Sequence, residues 1–189
     1  MTSPARVAWL DLGLEQLASE GLPGLTISRL CSAAGKTTGS FYHHFSDHQA
    51  FVLALIERWK LLATDRIVDA VRARRAGSGL RTLNELVFDL DPVLEVRVRQ
   101  VVESEPTASA VLAAVDEARL DFLAELYRRE GGAAPELARD LATLDYSTFL
   151  GFALLGDGAD RTAADRLARL QEDLTSAYLH RPPGPTRTG

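Results

Sequence analysis

Apolar residues in this chain recur at helical spacing almost throughout, and Gly, Pro and capping residues cut the pattern into segments of helix length. Trp9, Leu10, Leu14, Leu17 and Ala18 define a first helix over about 3–20. Between Thr26 and Phe45 the chain then reads TISRLCSAAGKTTGSFYHHF. Thr26 is a good N-cap, because its side-chain oxygen can accept from a free N–H of the first turn. Ile27, Leu30, Cys31 and Ala34 follow at i, i+3, i+4 and i+7, the buried face of a short helix over about 27–34. Gly35 ends it, since glycine enters the left-handed C′ conformation without a Cβ penalty. Thr37 caps a second short helix, about 38–43, whose Phe41 and Phe45 point inward. Thr38, Ser40, Tyr42 and His43 are left outside, small or hydrogen-bonding and none of them acidic. A helix, a glycine turn and a helix with such a face predict a helix-turn-helix.

Downstream, Asp47 caps a long helix over about 48–75, with Val52, Ile56, Trp59 and Ala63 as its inner stripe. Gly77 and Gly79 break the chain before a helix at about 80–89. Pro92 opens the next, about 92–103, with Leu94, Val98, Val101 and Val102 inside, as proline is well tolerated in a first turn. Pro106 opens a helix to about Glu130, stopped by Gly131 and Gly132, and Pro135 opens another to about Leu155, stopped by Gly156 and Gly158. Thr162 with Asp165 resembles a capping box for a last helix that carries Leu167, Leu170, Leu174, Ala177 and Tyr178 inward. The closing RPPGPTRTG reads as a disordered tail.

The segment GKTTGSFYHHF, Gly35 to Phe45, resembles the signature of the tetracycline-repressor (TetR) family of transcriptional regulators. The upstream helix with Trp9, Leu10, Leu14, Leu17, Ala18 and Gly21 and the following DHQAFVLAL fit the same pattern, so the resemblance covers roughly residues 5–58. It implies an all-α fold. An N-terminal three-helix helix-turn-helix domain (1–47) is joined by a long helix to a C-terminal helical ligand-binding and dimerisation bundle (48–181), followed by the tail (182–189). It further implies a cytoplasmic homodimer, a repressor released from a palindromic operator on double-stranded DNA by a small-molecule effector. Lys36 departs from the pattern, standing where the family usually has an apolar or small residue. Thr38 and His48 depart too, standing where it usually has lysines.

Under the resemblance, Thr37, Tyr42 and His43 meet phosphates, while Thr38, Gly39 and Ser40 approach base edges in the major groove. Lys36 reaches either the backbone or a guanine, and His48 places an N–H near a phosphate at the start of the next helix. Thr26 and His44 complete the expected DNA-facing set. For the effector, Trp59, Phe88, Phe122, Tyr127, Tyr146 and Phe149 supply aromatic lining between helices, and Val98 joins them. Arg119 interrupts the stripe of Val111, Leu112, Val115, Phe122 and Leu126, and Asp145 lies among Ala138, Leu141, Phe149 and Phe152. A lone buried charge is costly, so each needs a partner. Arg119 and Asp145 are expected to pair across the core or to present charge to an effector, an acidic one in Arg119's case, unless helix curvature carries one of them to solvent.

Charge changes this picture. The chain is −5 overall, and residues 1–48 hold Arg6, Arg29 and Lys36 against Asp11, Glu15, Glu20 and Asp47. A basic patch is the usual mark of a nucleic-acid binder, and here His43, His44 and His48 must supplement it. Binding is therefore expected to be modest in affinity, shallow in its salt dependence and sensitive to pH. The lone cysteine, Cys31, reads as a core thiol of a reducing compartment, and no segment has the length and apolarity of a membrane span.

The helix at 136–155 is apolar on two faces, Leu137, Leu141, Leu144, Gly151 and Leu155 on one and Ala138, Ala142, Phe149, Phe152 and Ala153 on another. Both need cover. The expected cover is the same helix pair, 136–155 and 162–179, of a second copy, the alternative being a central helix in a monomeric bundle. His44 and His48 are four apart, but Ser46-Asp47 breaks the helix between them, so no metal is expected. No phosphate loop, nucleophile elbow or zincin pattern is present, and neither a catalytic residue nor a cofactor is expected. The other readings are a DNA-binding regulator without a small-molecule effector, and a helical binding protein or enzyme.

Overall fold

The computed structural model describes residues 3–74, 77–155 and 161–179, without the side chains of Phe88, Arg161, Ala163, Ala164, Asp165 and Ala168; among the described residues there is no strand. Helix α1 (Pro4–Glu20) is capped by Ser3, whose hydroxyl accepts from the Arg6 N–H at 3.2 Å. It ends at Gly21, and a 3₁₀ turn (Leu22–Leu25) leads into α2 (Ile27–Ala34). Gly35 sits at φ 61°, ψ 33°, the left-handed stop expected of it. Helix α3 (Thr38–Tyr42) is capped by Thr37, which accepts from the Ser40 N–H at 3.3 Å. Helix α4 (His48–Lys60) starts on Asp47, whose carboxylate accepts from the Ala50 N–H at 2.7 Å. Leu17, Leu30, Phe41, Phe51 and Leu55 are fully buried where these helices meet. Phe41 is central, its ring 5.6 Å from Trp9, 5.2 Å from Phe45 and 5.4 Å from Phe51.

Two expectations about this half need correction. Thr26 has the extended backbone of an N-cap, but its side chain accepts nothing from α2; the hydroxyl donates to the Pro23 carbonyl at 3.4 Å instead. The helix expected over 48–75 is not continuous. It passes through a π-turn (Leu61–Asp65), where the Arg66 N–H donates to the carbonyl of Leu61, five residues back, and resumes as α5 (Arg66–Arg72). One extra residue is thereby inserted into the helix without breaking it.

Helix α6 (Gly79–Phe88) is capped from another helix: Glu130 accepts from the N–H groups of Gly79 at 2.8 Å and Leu80 at 3.2 Å. Asp91 caps α7 (Pro92–Ser104), accepting from Val93 at 2.8 Å, and a 3₁₀ turn (Pro106–Ala108) leads into α8 (Ser109–Gly131). Helices α9 (Pro135–Leu155) and α10 (Arg161–Leu179) follow. Because α10 begins at Arg161, Thr162 lies inside the helix rather than capping it, and the Asp165 side chain is outside the described residues. The expected tail also lies outside them.

Two apolar cores result. The first joins α1–α4 to Val98, Val101 and Val102 of α7, Ala108 of the 3₁₀ turn and Val115 of α8. The second joins Ile67 and Val71 of α5, Leu83 of α6, Phe122, Leu123, Leu126 and Tyr127 of α8, and Ala138, Leu141, Ala142 and Tyr146 of α9. Helix α10 joins neither in the manner expected. Leu167, Leu170, Leu174 and Tyr178 are 43–60% exposed, their stripe uncovered by any other described helix.

Gly13 lets α1 lie against α4: a Cβ there would meet Phe51 Cζ at 2.7 Å and Leu55 Cδ1 at 2.9 Å. Both neighbours are fully buried and cannot swing aside. Overpacking of about 1–3 kcal/mol should outweigh the ~1 kcal/mol of helix propensity that alanine gains over glycine. Gly13→Ala is therefore expected to lower the denaturation midpoint in urea, and a raised midpoint would contradict this packing.

Candidate nucleic-acid interface

The helix-turn-helix is assembled by burying one side of α3 and leaving the other in solvent. Phe41 and Phe45 are 0% and 3% exposed, whereas Tyr42 on the opposite side is 54% exposed, its ring standing edge-on against Phe41 at 5.6 Å. Lys36, Thr37, Thr38, Gly39 and His43 are exposed with it, and Ser40 and His44 are half-buried. These residues form one continuous surface of hydroxyls, one ammonium and two imidazoles, the rings of His43 and His44 5.0 Å apart. Thr26 is exposed at the start of α2.

His48 stands apart from that surface. Its ring Nε2 lies 2.9 Å from the Leu25 carbonyl, which can only accept, so Nε2 carries the hydrogen. The ring thus ties α4 to the turn before α2 through Nε2. Fixed positive charge near the reader is sparse: Arg29 is paired with Glu20, and Arg6 lies over the Phe45 ring at 4.8 Å. Cys31 is packed into the first core, and burial pushes its thiol up, which keeps it protonated and unreactive. Among the described residues no three His, Cys, Asp or Glu side chains gather as a metal site would need. No helix there is long and apolar enough to cross a membrane.

The residues expected around an effector are placed differently from one another. Trp59 and Val98 belong to the first core, Phe122 and Tyr146 to the second, and Phe149 packs at the margin of the second with its ring stacked 6.2 Å from Tyr146. The Phe88 side chain lies outside the described residues. Arg119 and Asp145 do not pair. Arg119 lies between the two cores and donates to both Glu95 oxygens at 3.1 Å, to Thr64 Oγ1 at 2.9 Å, to the Tyr146 hydroxyl at 3.0 Å and to the Ala63 carbonyl at 3.2 Å. Its guanidinium also covers the Trp59 ring at 5.0 Å. Asp145 instead accepts from the Tyr127 hydroxyl at 2.9 Å.

Three charged members of this hub, and Thr64 with them, went unseen in the sequence. Glu95 is 3% exposed, and Arg99 reaches it from the next turn at 3.0 Å while also pairing with Asp116 at 2.7 Å. Tyr146 donates to Asp116 at 2.6 Å and closes the network. A signal existed: Glu95, Val98 and Val102 are spaced i, i+3 and i+7, so the carboxylate shares the inward face of α7. Burial pushes the Asp116 carboxyl up, but hydrogen bonds from Arg99 and Tyr146 outweigh it and hold the group below the usual carboxylate range. The two guanidiniums and two carboxylates balance, and among the described residues no buried side-chain polar atom lacks a partner.

Beside the hub is an open cleft of about 400 Å³, lined by Thr64, Asp65, Val68, Asp69 and Arg72 on one side and Ala118, Asp121, Phe122 and Glu125 on the other. Of the expected effector residues it takes only Phe122. Arg72 lies over that ring at 5.3 Å and pairs with Glu125 at 3.3 Å.

Residues 10–55 match the model of the family described as bacterial regulatory proteins, tetR family. No curated protein matches the chain. Among solved structures, a transcriptional regulator from Rhodococcus sp. RHA1 is 18% identical with a TM-score of 0.75, over 94% of this chain and 96% of that one. The fatty acid degradation regulator FadR from Bacillus halodurans is 18% identical with a TM-score of 0.70, over 96% and 100%. Reduced NemR from E. coli is 17% identical with a TM-score of 0.67, over 95% and 100%. At these identities the likeness is one of fold.

Burial pushes the Asp145 carboxyl up, and the Tyr127 hydrogen bond offsets only part of this. With its folded pKa above its unfolded one, Asp145 costs nothing below the unfolded carboxylate value of about 3.9 and opposes folding as pH rises through the folded value. Asp145→Asn should therefore be more stable than the parent at pH 7–8 in urea denaturation. The advantage should fade on acidification and be gone near pH 3; an advantage that grew towards acid would reverse the assignment.

Proposed function

We propose, from the premise that this chain is a TetR-family transcriptional regulator, that it binds a palindromic operator as a homodimer, as a repressor, and lets go when a small molecule enters its helical domain. The observation that carries the DNA half is the exposed, acid-free face of α3 over a fully buried Phe41. Tyr42, His43 and Thr37 would meet phosphates, with His44 and Thr26 at the margin of the contact. Thr38, Gly39 and Ser40 would meet base edges, and Lys36 the backbone or a guanine. His48 would contribute its N–H at the start of α4, not its ring. The domain division proposed is a reader over 1–47 and an effector and dimerisation domain over 48–181, although the first apolar core runs across that boundary into α7 and α8.

The dimer half rests on the unpartnered stripe of α9 and α10. Leu144, Leu154, Leu155, Leu167, Leu170, Leu174 and Tyr178 are 43–91% exposed on two neighbouring helices, and large exposed apolar patches mark interaction sites. A second copy of the same helix pair covers it by symmetry and sets two readers side by side.

For the effector, Trp59, Val98, Arg119 and Tyr146 are engaged in packing and in the hub, so a guest there must displace satisfied contacts. The open cleft is the freer place. Its Asp65 pairs with Lys60, its Asp121 with Arg139 and its Glu125 with Arg72 and Arg129. These carboxylates, with Asp69 and the Phe122 ring, suit a flat cation rather than the acidic ligand that Arg119 alone suggested. The filled hub equally favours a second reading, a regulator with no small-molecule effector. Release of bound DNA by aromatic cations, with aromatic carboxylates as the control, separates the two.

Tyr42→Phe and His43→Ala are expected to weaken binding about equally on all sequences, whereas Ser40→Ala and Thr38→Ala should alter base preference by about 1–3 kcal/mol at one position per half-site. Both are read by titrating a panel of single-base operator variants. A changed preference with intact affinity in Tyr42→Phe would remove it from the phosphate contacts. Sedimentation should find the parent dimeric and the variant Leu170→Glu/Leu174→Glu monomeric and folded; a parent that sediments as a monomer sinks the dimer.

A further inference from the structure

We propose that Arg119 is a positioning residue for DNA reading: by gripping the π-turn at Leu61–Asp65 it fixes the direction in which α4 carries the reader. This rests on the operator-binding reading above and adds the device that sets reader geometry.

The π-turn is the one irregular point of the α4–α5 rod, and it falls where the first apolar core gives way to the second. Single π-turns inside α-helices are rare and fall frequently at functional sites, and this one is met by contacts from outside the helix. Arg119 makes them from α8. Its Nε donates to the Thr64 hydroxyl and one terminal nitrogen to the Ala63 carbonyl, both within the turn. Its other terminal nitrogen is anchored on Glu95 of α7 and Tyr146 of α9, and its face rests on Trp59 in the last turn of α4. One planar side chain thus joins α4, the π-turn, α7, α8 and α9. The planar fork allows all of these bonds at once, which a lysine ammonium could not do.

The lever is long. Helix α4 has 13 residues, about 20 Å at 1.5 Å per residue, so a 10° change at the π-turn, taken up by the contacts of the first core with α7 and α8, would move α3 by about 3.5 Å. That is about one base-pair step along DNA. In a dimer both readers move, and half-site spacing is lost before any reader unfolds.

The test uses the full chain in a Cys31→Ala background, with spin labels on Glu15→Cys in α1 and Arg128→Cys in α8, diluted with unlabelled protein. Both positions are exposed. Arg119→Met alone would leave Arg99 as the single cation for both Glu95 and Asp116, so it is paired with Glu95→Leu; the Arg99–Asp116–Tyr146 contacts remain satisfied and neutral. Thr64→Val and Arg119→Lys are milder probes that keep the Arg99–Glu95 ion pair. The parent should give one narrow distance distribution. The double variant should give a broad or shifted one, with a melting temperature within a few degrees of the parent and tenfold or weaker affinity for DNA that the parent binds. A folded double variant with the parent's distribution and affinity overturns the proposal. If the double variant does not fold, Thr64→Val and Arg119→Lys decide: broadened distributions support the grip, and parent-like ones in both overturn it. Should the parent bind no DNA, the operator reading fails, and the distance distributions still judge the grip on their own.

Discussion

A carboxylate shut into an apolar bundle sets the terms for the centre of this molecule. Glu95 is 3% exposed on a face otherwise made of valines, and an ion buried there without partners would cost several kcal/mol. Arg99 and Arg119 answer that charge from α7 and α8, and their two positive charges in turn require Asp116 and the Tyr146 hydroxyl. Satisfying one group therefore dictates where four helices meet and why a π-turn, with its Ala63 carbonyl and Thr64 hydroxyl turned to Arg119, lies at the junction. Replacing the pair by apolar side chains could be as stable. What the charges add is a single geometry, since a guanidinium must aim at each partner where a leucine need only fill space.

The reader was legible because its signals are local. Gly35 in the left-handed region, Thr37 and Asp47 as caps, and Phe41 with Phe45 inward all follow from neighbours within a turn or two. Thr26 failed for an equally local reason: a hydroxyl can turn to the Pro23 carbonyl as readily as to a helix N–H. The π-turn left no trace, because Val52, Ile56, Trp59, Ala63 and Ile67 keep spacings of three and four through it. That Arg119 needed an opposite charge was visible; that the charge was Glu95 and not Asp145 was not, because pairing depends on which helices face each other. The inward stripe assigned to α10 erred in the same way, as periodicity marks a face to be covered and says nothing of what covers it.

Low fixed charge and a large exposed apolar stripe belong together in this reading. With Arg29 spent on Glu20 and the His48 ring on Leu25, one reader has few cations for phosphates. Two readers held at a set spacing by the proposed dimer would recover by simultaneous contact what one lacks in charge. Geometry would then matter more than electrostatics, and the α4–α5 junction would bear on function through it.

The most direct measurement is selection of bound sequences from a random DNA pool by the intact chain. The account predicts enrichment of an inverted repeat whose half-sites lie one helical turn, about 34–36 Å, or a multiple of it apart. Enrichment of a single asymmetric half-site, or of nothing at all, would contradict it.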